Sequence, residues 1–524
     1  MLDILIKNGT VYDGTGSEGV RRDVGIKDGV IVFPDTEAAE AEKVVDASGF
    51  AVTPGFIDVH THADEQIYGE PSRASKLLQG GTTEIAGMCS FSRAPYLEDA
   101  PFDSEETSLR IALEPTFPSY AAYRAHMDER ELGTNMLCFV GHRAIRASVL
   151  GMQSRPATAA ELDRMKGLLA ECMEEGAPGM STGLVYAPSC YGTEDELIEL
   201  LRVVGRYGGM YTTHIRGEAD TVVDALAEAL RIGEAAGVPI NVSHLKAMFP
   251  QNYDKADRML EMIDEANARG ADVTFDAYPY AATSSPTMSA LPPSFLTDGI
   301  PALCERLATK EGVEALREAV THPTELWENP IGNIGVENFL ITKAPGTPEA
   351  VGKRVSEYAK MRGLDGVSAF AEIYSLSRGD VTDVRFNMSE ENVAKIYTHP
   401  KCLVGSDGLY YGGAELAHPR AFATFPRYLG RFIRERKVLP LAEGIHRLTG
   451  QAAERYHIDR RGFIREGYFA DITVFDPDTV ADRATYEDPF APNVGIKCVI
   501  VNGKIAADDG ALTGEKNGAF LTWK

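Results

Sequence analysis

Cysteine is scarce in this sequence, and no two cysteines form a Cys-x-x-Cys pair. Seven cysteines are spread over 524 residues, and this odd number argues against the fully paired disulfide framework of small secreted domains. The sequence also lacks an apolar run near the ~18 residues that a membrane-spanning helix needs. Its first residues lack the basic-then-apolar order of a signal peptide. We therefore expect reduced thiols, a cytoplasmic location and no membrane partner.

Positive charge is also under-represented. The chain has 77 acidic and 52 basic residues, which gives a net charge of −25. Such a surface repels phosphate backbones and anionic lipid headgroups, so we expect no nucleic-acid partner. Hydrophobic residues make up 44% and charged residues 25% of the chain, as in ordinary globular proteins. The composition favours a globular enzyme and does not define its oligomeric state.

Both ends of the chain have the pattern of short β-hairpins. Asn8-Gly9 and Asp28-Gly29 separate short apolar runs near the start, and Asn502-Gly503 does so near the end. Asn-Gly and Asp-Gly pairs favour the positive φ angles that tight hairpin turns require. We predict one small β-sandwich domain that combines residues 1–54 with residues 458–524.

Between the two ends, short β runs alternate with amphipathic helices, which is the pattern of a parallel α/β fold. The last two β-run ends, at Ala277 and Asp407, are 130 residues apart. We therefore predict a TIM-like (β/α)8 barrel over residues 55–457, with residues 285–395 as an inserted subdomain or lid before the last barrel strand. The eight predicted strands end near His62, Cys89, His142, Leu184, His214, His244, Ala277 and Asp407.

Two histidines close the first predicted barrel strand, in the segment Pro54–His62. Residues two apart on a strand point to the same side, so His60 and His62 can both reach one metal ion. A short His-x-His pair is weak evidence by itself. Its position is stronger evidence, because barrel active sites lie at the carboxyl ends of the strands.

Four further candidate ligands lie at strand ends, namely Cys89, His214, His244 and Asp407. Taken alone, a buried cysteine is usually a packing residue, and a histidine at a strand end often only hydrogen-bonds to a backbone carbonyl. Together with the first histidine pair they supply thiolate, imidazole and carboxylate groups, which are the ligands of zinc. Because packing does not require these side chains at one rim, the combination predicts a zinc site.

The segments around these residues resemble those of the amidohydrolase superfamily and, within it, the N-acyl-D-amino-acid deacylases, also called D-aminoacylases. Cys89 is the most specific feature, because many amidohydrolases instead bridge two metals with a carboxylated lysine, and Pro178–Tyr191 contains no lysine. The resemblance covers nearly the whole chain and is carried by Pro54–His62, Gly87–Pro95, Ser181–Tyr186, His214–Glu218, Val242–Lys246, Asp276–Tyr280, Gly405–Gly408, His418–Arg420, Thr424–Gly430, Gly462–Gly467 and Ala470–Ile472.

The resemblance implies a role for each candidate ligand. It implies one tight zinc site formed by Cys89, His214 and His244. It also implies a second, weaker or partly occupied site formed by His60, His62 and Asp407. Asp407 would take a proton from the attacking water and deliver it to the departing nitrogen.

The resemblance also implies that Lys246, Tyr278 and Ser284 bind the α-carboxylate of the substrate. Tyr186 is expected to line the pocket, although the interpretation as a core aromatic stays equally open. Arg385, in the predicted insertion, is a candidate for reaching a second substrate carboxylate. His418, Arg420 and Arg216 could orient neighbouring groups or form structural ion pairs.

The leading hypothesis is zinc-dependent hydrolysis of N-acyl-D-amino acids to a carboxylate and a free D-amino acid, with the D preference inherited from the resemblance. Deacylases of N-acyl-D-glutamate place an arginine shortly after the serine that matches Ser284, but Ser284–Leu296 contains no Lys or Arg. We therefore predict a neutral, mostly hydrophobic side chain packed against Met288, Leu291 and Phe295. The alternatives are a cyclic-amide hydrolase of the hydantoinase or dihydroorotase type and a non-catalytic scaffold.

Overall fold

A computed structural model describes residues 1–34, 39–101, 115–324, 327–410 and 415–523. Within these ranges, no helix is both long and apolar enough to cross a membrane.

The strands are short and run in chain order from both termini into the body of the molecule. They are β1 Leu2–Lys7, β2 Thr10–Val11, β3 Val20–Arg21, β4 Val24–Lys27, β5 Val30–Val32, β6 Ala41–Asp46, β7 Ala51–Pro54, β8 Phe56–Asp58, β9 Gly81–Ala86, β10 Asn135–Cys138, β11 Val140–Gly141, β12 Gly179–Gly183, β13 Met210–His214, β14 Ile240–Val242, β15 Val273–Ala277, β16 Thr283–Pro286, β17 Phe339–Lys343, β18 Thr382–Arg385, β19 Cys402–Val404, β20 Ile472–Phe475, β21 Ile496–Val501, β22 Lys504–Asp508 and β23 Ala511–Leu512.

Helices follow most of the central strands. The α-helices are Ala63–Gln66, Ala74–Leu77, Tyr120–Asp128, His142–Leu150, Ala159–Glu174, Glu194–Arg206, Val222–Ala236, Lys255–Ala268, Gly299–Leu307, Lys310–Thr321, Pro330–Ile334, Val355–Arg362, Gly366–Leu376, Glu390–Thr398, Arg420–Arg427, Leu441–Leu448 and Gly450–Arg455. A π-helix spans Tyr428–Glu435, and short 3-10 helices span Ser189–Tyr191, Pro250–Asn252, Thr287–Ala290, Pro293–Phe295, Val336–Asn338 and Pro348–Ala350.

The terminal strands form two sheets in the orders β5-β4-β1-β6 and β23-β22-β21-β20-β7-β2-β3. The second sheet joins the two ends of the chain, because β20 pairs antiparallel with β7, from Ile472 opposite Pro54 to Phe475 opposite Ala51. Buried aliphatic side chains from both termini, among them Ile4, Val24 and Val474, form one core cluster. Burial of such side chains contributes about 1.5–3 kcal/mol each.

Two of the three predicted hairpin turns are confirmed. Asp28-Gly29, with φ of 51° and 80°, connects β4 to β5, and Asn502-Gly503, with φ of 46° and 80°, connects β21 to β22. The predicted hairpin at Asn8-Gly9 is wrong. Asn8 has a φ of 63°, but β1 pairs with β4 and β6 whereas β2 pairs with β3 and β7. The turn therefore passes the chain from one sheet to the other, and a Cβ at Gly9 would lie 2.4 Å from Val52.

The central strands form two parallel sheets, in the orders β10-β9-β8 and β11-β12-β13-β14-β15-β19. The described strands contain every predicted run, and β10 and β11 together represent the run that ends near His142. One isolated parallel bridge, between Thr61 and Gly408, links the chain after β8 to the chain after β19. The described residues show an α/β fold with the carboxyl ends of these strands gathered together, and do not show one continuous hydrogen-bonded barrel.

The segment between β15 and β19 has its own small sheet and its own apolar core. Strands β16, β18 and β17 pair antiparallel in that order. Helices Gly299–Leu307 and Gly366–Leu376 belong to the same unit, and Leu303, Phe339 and Phe370 are buried in its core. Because β16 begins six residues after β15 ends, this unit starts beside the carboxyl ends of the parallel strands.

Candidate active site

The six predicted ligands lie at the carboxyl ends of five parallel strands. His60 and His62 follow β8, and Cys89 follows β9, whereas His214 is the last residue of β13. His244 and Asp407 follow β14 and β19 in the same way. All six side chains are buried, so the parallel sheets bring together residues that are far apart in the sequence.

Three of these residues have an uncommon backbone conformation. The φ angles of Cys89, His244 and Asp407 are 53°, 35° and 47°, in a region that residues other than glycine rarely occupy. Such conformations cost about 1–3 kcal/mol each and cluster at functional sites. The NH of Asp407 donates to the carbonyl of His60 at 2.9 Å, so the chain after β19 is fixed against the chain after β8.

The thiol of Cys89 lies between imidazoles from different strands. Its Sγ is 3.3 Å from Nε2 of His60 and 3.5 Å from Nε2 of His244. Oδ1 of Asp407 is 3.7 Å from Nε2 of His60 and 3.5 Å from Nε2 of His62. Among the described residues, three groups have ligand atoms within 4.8 Å of one another: His60, Cys89 and His244; His60, His62 and Asp407; and His214, Glu218 and His244.

Two buried carboxylates hold the histidines, and sequence reasoning gave neither of them a role. Oδ1 of Asp276 is 3.2 Å from Nδ1 of His60 and accepts from the backbone NH of His244 at 2.8 Å. Oε1 of Glu218 is 2.9 Å from Nδ1 of His244, and its Oε2 is 3.6 Å from Nε2 of His214. Carboxylates that contact the second nitrogen of a ligand histidine orient the ring and tune its basicity. The sequence carries one indication for Glu218, which lies four residues after His214 in the same motif.

The electrostatics of the cluster suit a cation. Burial alone would raise the pKa of the Cys89 thiol, but the positive His60 and His244 hold that pKa well below its usual range. Burial alone would lower the pKa of His62, but its hydrogen bonds with Asp407 and Cys89 raise that pKa to about 10. Anionic ligands therefore lie beside imidazoles that retain protons, and a metal ion would replace those protons.

The donor atoms of these residues also suit a metal ion. Nδ1 of His214 is buried without a hydrogen-bond partner among the described residues, so one imidazole nitrogen is available for another partner. A thiolate with several imidazoles and a carboxylate is a donor set that suits zinc. The site therefore fits a zinc ion in both its chemistry and its burial.

Lys246 is buried beside the candidate metal ligands. The residue is only 4% exposed, and its Nζ donates to Oε1 of Glu218 at 2.5 Å and to the carbonyl of His244 at 2.9 Å. Its Nζ lies 5.8 Å from the centre of the Tyr278 ring. Lys246 and Tyr278 are thus placed together at the metal cluster, with the ammonium group paired to Glu218.

Arg420, for which the sequence left open an orienting role or a structural ion pair, contacts Asp407 directly. Its Nη2 lies 3.0 Å from Oδ2 of Asp407 and donates to the carbonyl of Ser284 at 3.5 Å. Its guanidinium carbon lies 4.5 Å from the centre of the Tyr278 ring. Burial would raise the pKa of Asp407, but Arg420 and the hydrogen bond with His62 keep it well below its usual range. Arg420 therefore links Asp407 to two predicted substrate contacts.

Tyr186 contacts a candidate ligand, whereas Arg385 lies on the strand that pairs with β16. The Tyr186 ring is 5.2 Å from the rings of both Phe91 and His214. Arg385 ends β18, and its register partner on β16 is Thr283. It is 5% exposed and forms an ion pair with Asp383. The structure thus places Arg385 next to the strand that carries Ser284.

The predicted apolar pocket wall needs a correction. Leu291 and Phe295 are buried in the core of the segment between β15 and β19, and only Met288 is substantially exposed. Apolar residues suit the core of this segment as well as a pocket wall, and their composition alone does not distinguish the two.

Comparisons with known proteins agree with this geometry. Residues 43–507 match the Amidohydrolase family. The chain is 35% identical to a D-aminoacylase from Alcaligenes xylosoxydans xylosoxydans, over 99% of this chain and 97% of that protein. It is 34% identical to an N-acyl-D-aspartate deacylase from the same organism, over 99% of this chain and 95% of that protein.

A solved structure is similar over the same length. The crystal structure of N-acyl-D-glutamate deacylase from Bordetella bronchiseptica, complexed with zinc and a phosphonate inhibitor that mimics the tetrahedral intermediate, has a TM-score of 0.84 and 33% identity. The match covers 99% of each chain. These similarities confirm the resemblance found in the sequence. The chain therefore belongs to the amidohydrolase family and, within it, to the metal-dependent N-acyl-D-amino-acid deacylases.

Proposed function

We propose that this protein is a zinc-dependent deacylase of N-acyl-D-amino acids that prefers neutral and hydrophobic side chains. The observation that carries this proposal is the buried thiol of Cys89 between His60 and His244, with Asp407 facing His60 and His62. The absence of a lysine from β12 disfavours the cyclic-amide hydrolases that use a carboxylated lysine. The presence of all six ligands disfavours a non-catalytic scaffold.

The proposed architecture is a (β/α)8 barrel over residues 55–457, with a β-sandwich domain of residues 1–54 and 458–524. The bridge between Thr61 and Gly408 supports closure of the barrel, and the sheet shared by β7 and β20 supports the terminal domain. The separate apolar core between β15 and β19 supports an inserted subdomain over residues 285–395. The unpaired state of all seven cysteines is consistent with the predicted cytoplasmic location.

For the metals, the proposal is a tight zinc site of Cys89, His214 and His244, and a weaker site of His60, His62 and Asp407. Sγ of Cys89 contacts Nε2 of His60, so a ligand of the first proposed site lies beside a ligand of the second. Zinc bound there would polarise the substrate carbonyl and activate water at neutral pH.

The role of Asp407 follows from how its carboxylate is held. Arg420 contacts Oδ2, whereas Oδ1 faces His60 and His62. Although burial alone would raise its pKa, Arg420 and the hydrogen bond with His62 keep the carboxylate ionised. Asp407 would accept the proton of the attacking water and then donate it to the leaving nitrogen. The amine leaves poorly without that proton, so one positioned acid serves both steps.

Lys246, Tyr278, Ser284 and Arg420 would receive the α-carboxylate of the substrate. Lys246 and Arg420 both lie close to the Tyr278 ring, so two positive charges border this aromatic side chain. In a protein with a net charge of −25, such local cations are needed to attract an anion. Tyr186, next to His214, would line the opposite side of the pocket.

The function can be tested with a panel of N-acetyl-D-amino acids and N-acetyl-L-amino acids and zinc-loaded protein of known metal content. We expect hydrolysis of the D compounds, with Leu, Met, Phe and Val derivatives preferred. Turnover of hydantoin or dihydroorotate instead would favour the cyclic-amide alternative. Less than about 0.2 zinc per chain, together with no turnover, would favour the scaffold, because an active site of this type requires its metal.

A further inference from the structure

Strand β18 pairs with β16, the strand that carries Ser284. Arg385, its last residue, is opposite Thr283 on β16. Two residues further, the amide of Asn387 donates to Oγ1 of Thr283 at 3.0 Å and to Sδ of Met248 at 3.2 Å. The hydroxyl of Tyr278 donates to Sδ of Met388 at 3.5 Å. The chain around Arg385 therefore forms a wall beside the proposed carboxylate-binding residues.

Arg385 is held on this wall by a carboxylate of the same strand. Its Nε donates to Oδ1 of Asp383 at 2.8 Å and its Nη2 to Oδ2 at 3.3 Å. Asp383 is fully buried and also accepts from the hydroxyl of Thr287 at 2.7 Å. The two side chains lie on the same side of β18 because they are two residues apart. The ion pair is thus bidentate and shielded from water, which makes it stronger than an ion pair at the surface.

The charges around Arg385 do not favour a second substrate carboxylate. Arg385 is already paired with the buried Asp383. An incoming side-chain carboxylate would have to compete with Asp383 for the same guanidinium group.

We propose that Asp383 is a specificity-determining residue, which neutralises Arg385 and thereby reserves the side-chain pocket for uncharged D-residues. This inference rests on the proposed deacylase function and assigns a residue to its side-chain selectivity. Relatives named for D-aspartate and D-glutamate derivatives are nearly as identical to this chain as the D-aminoacylase. Overall identity therefore does not decide the side chain, and the charge balance on β18 does.

The test is Asp383→Asn, which keeps an oxygen for Thr287 and removes the charge that Arg385 requires. We expect the ratio of kcat/KM for N-acetyl-D-Glu to that for N-acetyl-D-Leu to rise at least tenfold. The double variant Asp383→Asn/Arg385→Met should lose this gain. Asp380→Asn is the matched control, because Asp380 lies just before β18 but is exposed and pairs with Lys343 at the surface. It should leave the ratio unchanged.

A second variant tests the same inference if Asp383→Asn folds poorly. Arg385→Gln leaves Asp383 without its cation, so hydrolysis of N-acetyl-D-Glu should fall relative to Leu, and hydrolysis of N-acetyl-D-Lys should rise. A folded Asp383→Asn enzyme with a Glu to Leu ratio within twofold of wild type would overturn the inference, as would a wild-type preference for Glu. If wild-type protein with bound zinc hydrolyses no member of the panel, the proposed function itself fails.

Discussion

The metal cluster and the wall around Arg385 are adjacent but are built in different ways. Each metal ligand lies at the end of a buried parallel strand, and its neighbours come from other parallel strands. The wall comes from a three-stranded antiparallel sheet that shares the separate apolar core of the segment between β15 and β19. The cluster is thus part of the central sheets, whereas the wall is attached to them through the segments after β15 and before β19.

This difference separates chemistry from selectivity. A change in a central strand alters the distance between ligands that come from different strands, so it affects metal binding and every substrate alike. A change on β18 alters the charge next to the substrate side chain and leaves the ligands in place. Loops and insertions on a rigid scaffold commonly carry specificity in this manner. Substitutions in the two regions should therefore have different signatures.

The largest expected effect is at Cys89. Cys89→Ala removes the thiolate between His60 and His244, so zinc and activity should be lost together while the fold is retained. Zinc content by elemental analysis, with circular dichroism for the fold, measures both. Cys172→Ala is the control, because Cys172 is a buried packing residue of helix Ala159–Glu174. A Cys89→Ala protein with stoichiometric zinc and normal turnover would refute the ligand assignment.

Asp407→Asn should reduce kcat for every substrate by about 10²–10⁴-fold, the contribution typical of a general acid–base residue. The amide keeps the shape of the side chain but cannot accept the proton of water. The tight zinc should stay, because Cys89, His214 and His244 are unchanged. Steady-state kinetics on zinc-quantified protein check this, and retained turnover would mean that another group transfers the proton.

A smaller effect is expected at Glu218, which contacts two proposed ligand histidines and is not itself a ligand of either proposed zinc site. Glu218→Gln removes the charge that contacts His244 and Lys246. Loss of such a partner weakens metal affinity or activity by about 10–100-fold. Chelator competition gives the zinc affinity. Glu228→Gln is the control, since Glu228 pairs with Arg216 instead, and equal zinc affinity in both variants would deny Glu218 this role.

The sequence predicts that the six candidate ligands converge, because each of them lies at the end of a predicted parallel strand. The structure differs in one detail, since β8 ends at Asp58 and both His60 and His62 lie after it. Asp276 and Glu218 lie within the motifs that carry the resemblance, but the pattern predicts no role for them. Their function depends on contact with the second nitrogen of a histidine, and strand periodicity does not specify that contact.

The inserted region shows why the remainder was not predictable. Leu291 and Phe295 have the composition of a pocket wall, but they pack in a core whose other members include residues as far along the chain as Tyr374. Likewise, Asn8-Gly9 has the residues of a hairpin turn, but only Asn8 adopts the expected positive φ and Gly9 does not. Whether the two strands beside such a turn pair with each other or join different sheets depends on long-range pairing, which a two-residue turn does not encode.

The smallest expected effect compares two buried phenylalanines, one in each region. Phe370 lies in the core of the inserted subdomain, and Phe275 lies on β15 next to Asp276. Phenylalanine to leucine should destabilise either protein by about 1 kcal/mol, the usual size for a buried substitution of similar volume. Phe275→Leu should also lower kcat for all substrates several-fold, because Asp276 holds His60 and the backbone of His244. Phe370→Leu should leave kcat and zinc content unchanged and alter only KM, by less than about threefold, since its core is connected to the pocket through β18. Thermal unfolding with kinetics on both variants measures these effects, and equal losses of kcat would show that the two regions are mechanically one unit.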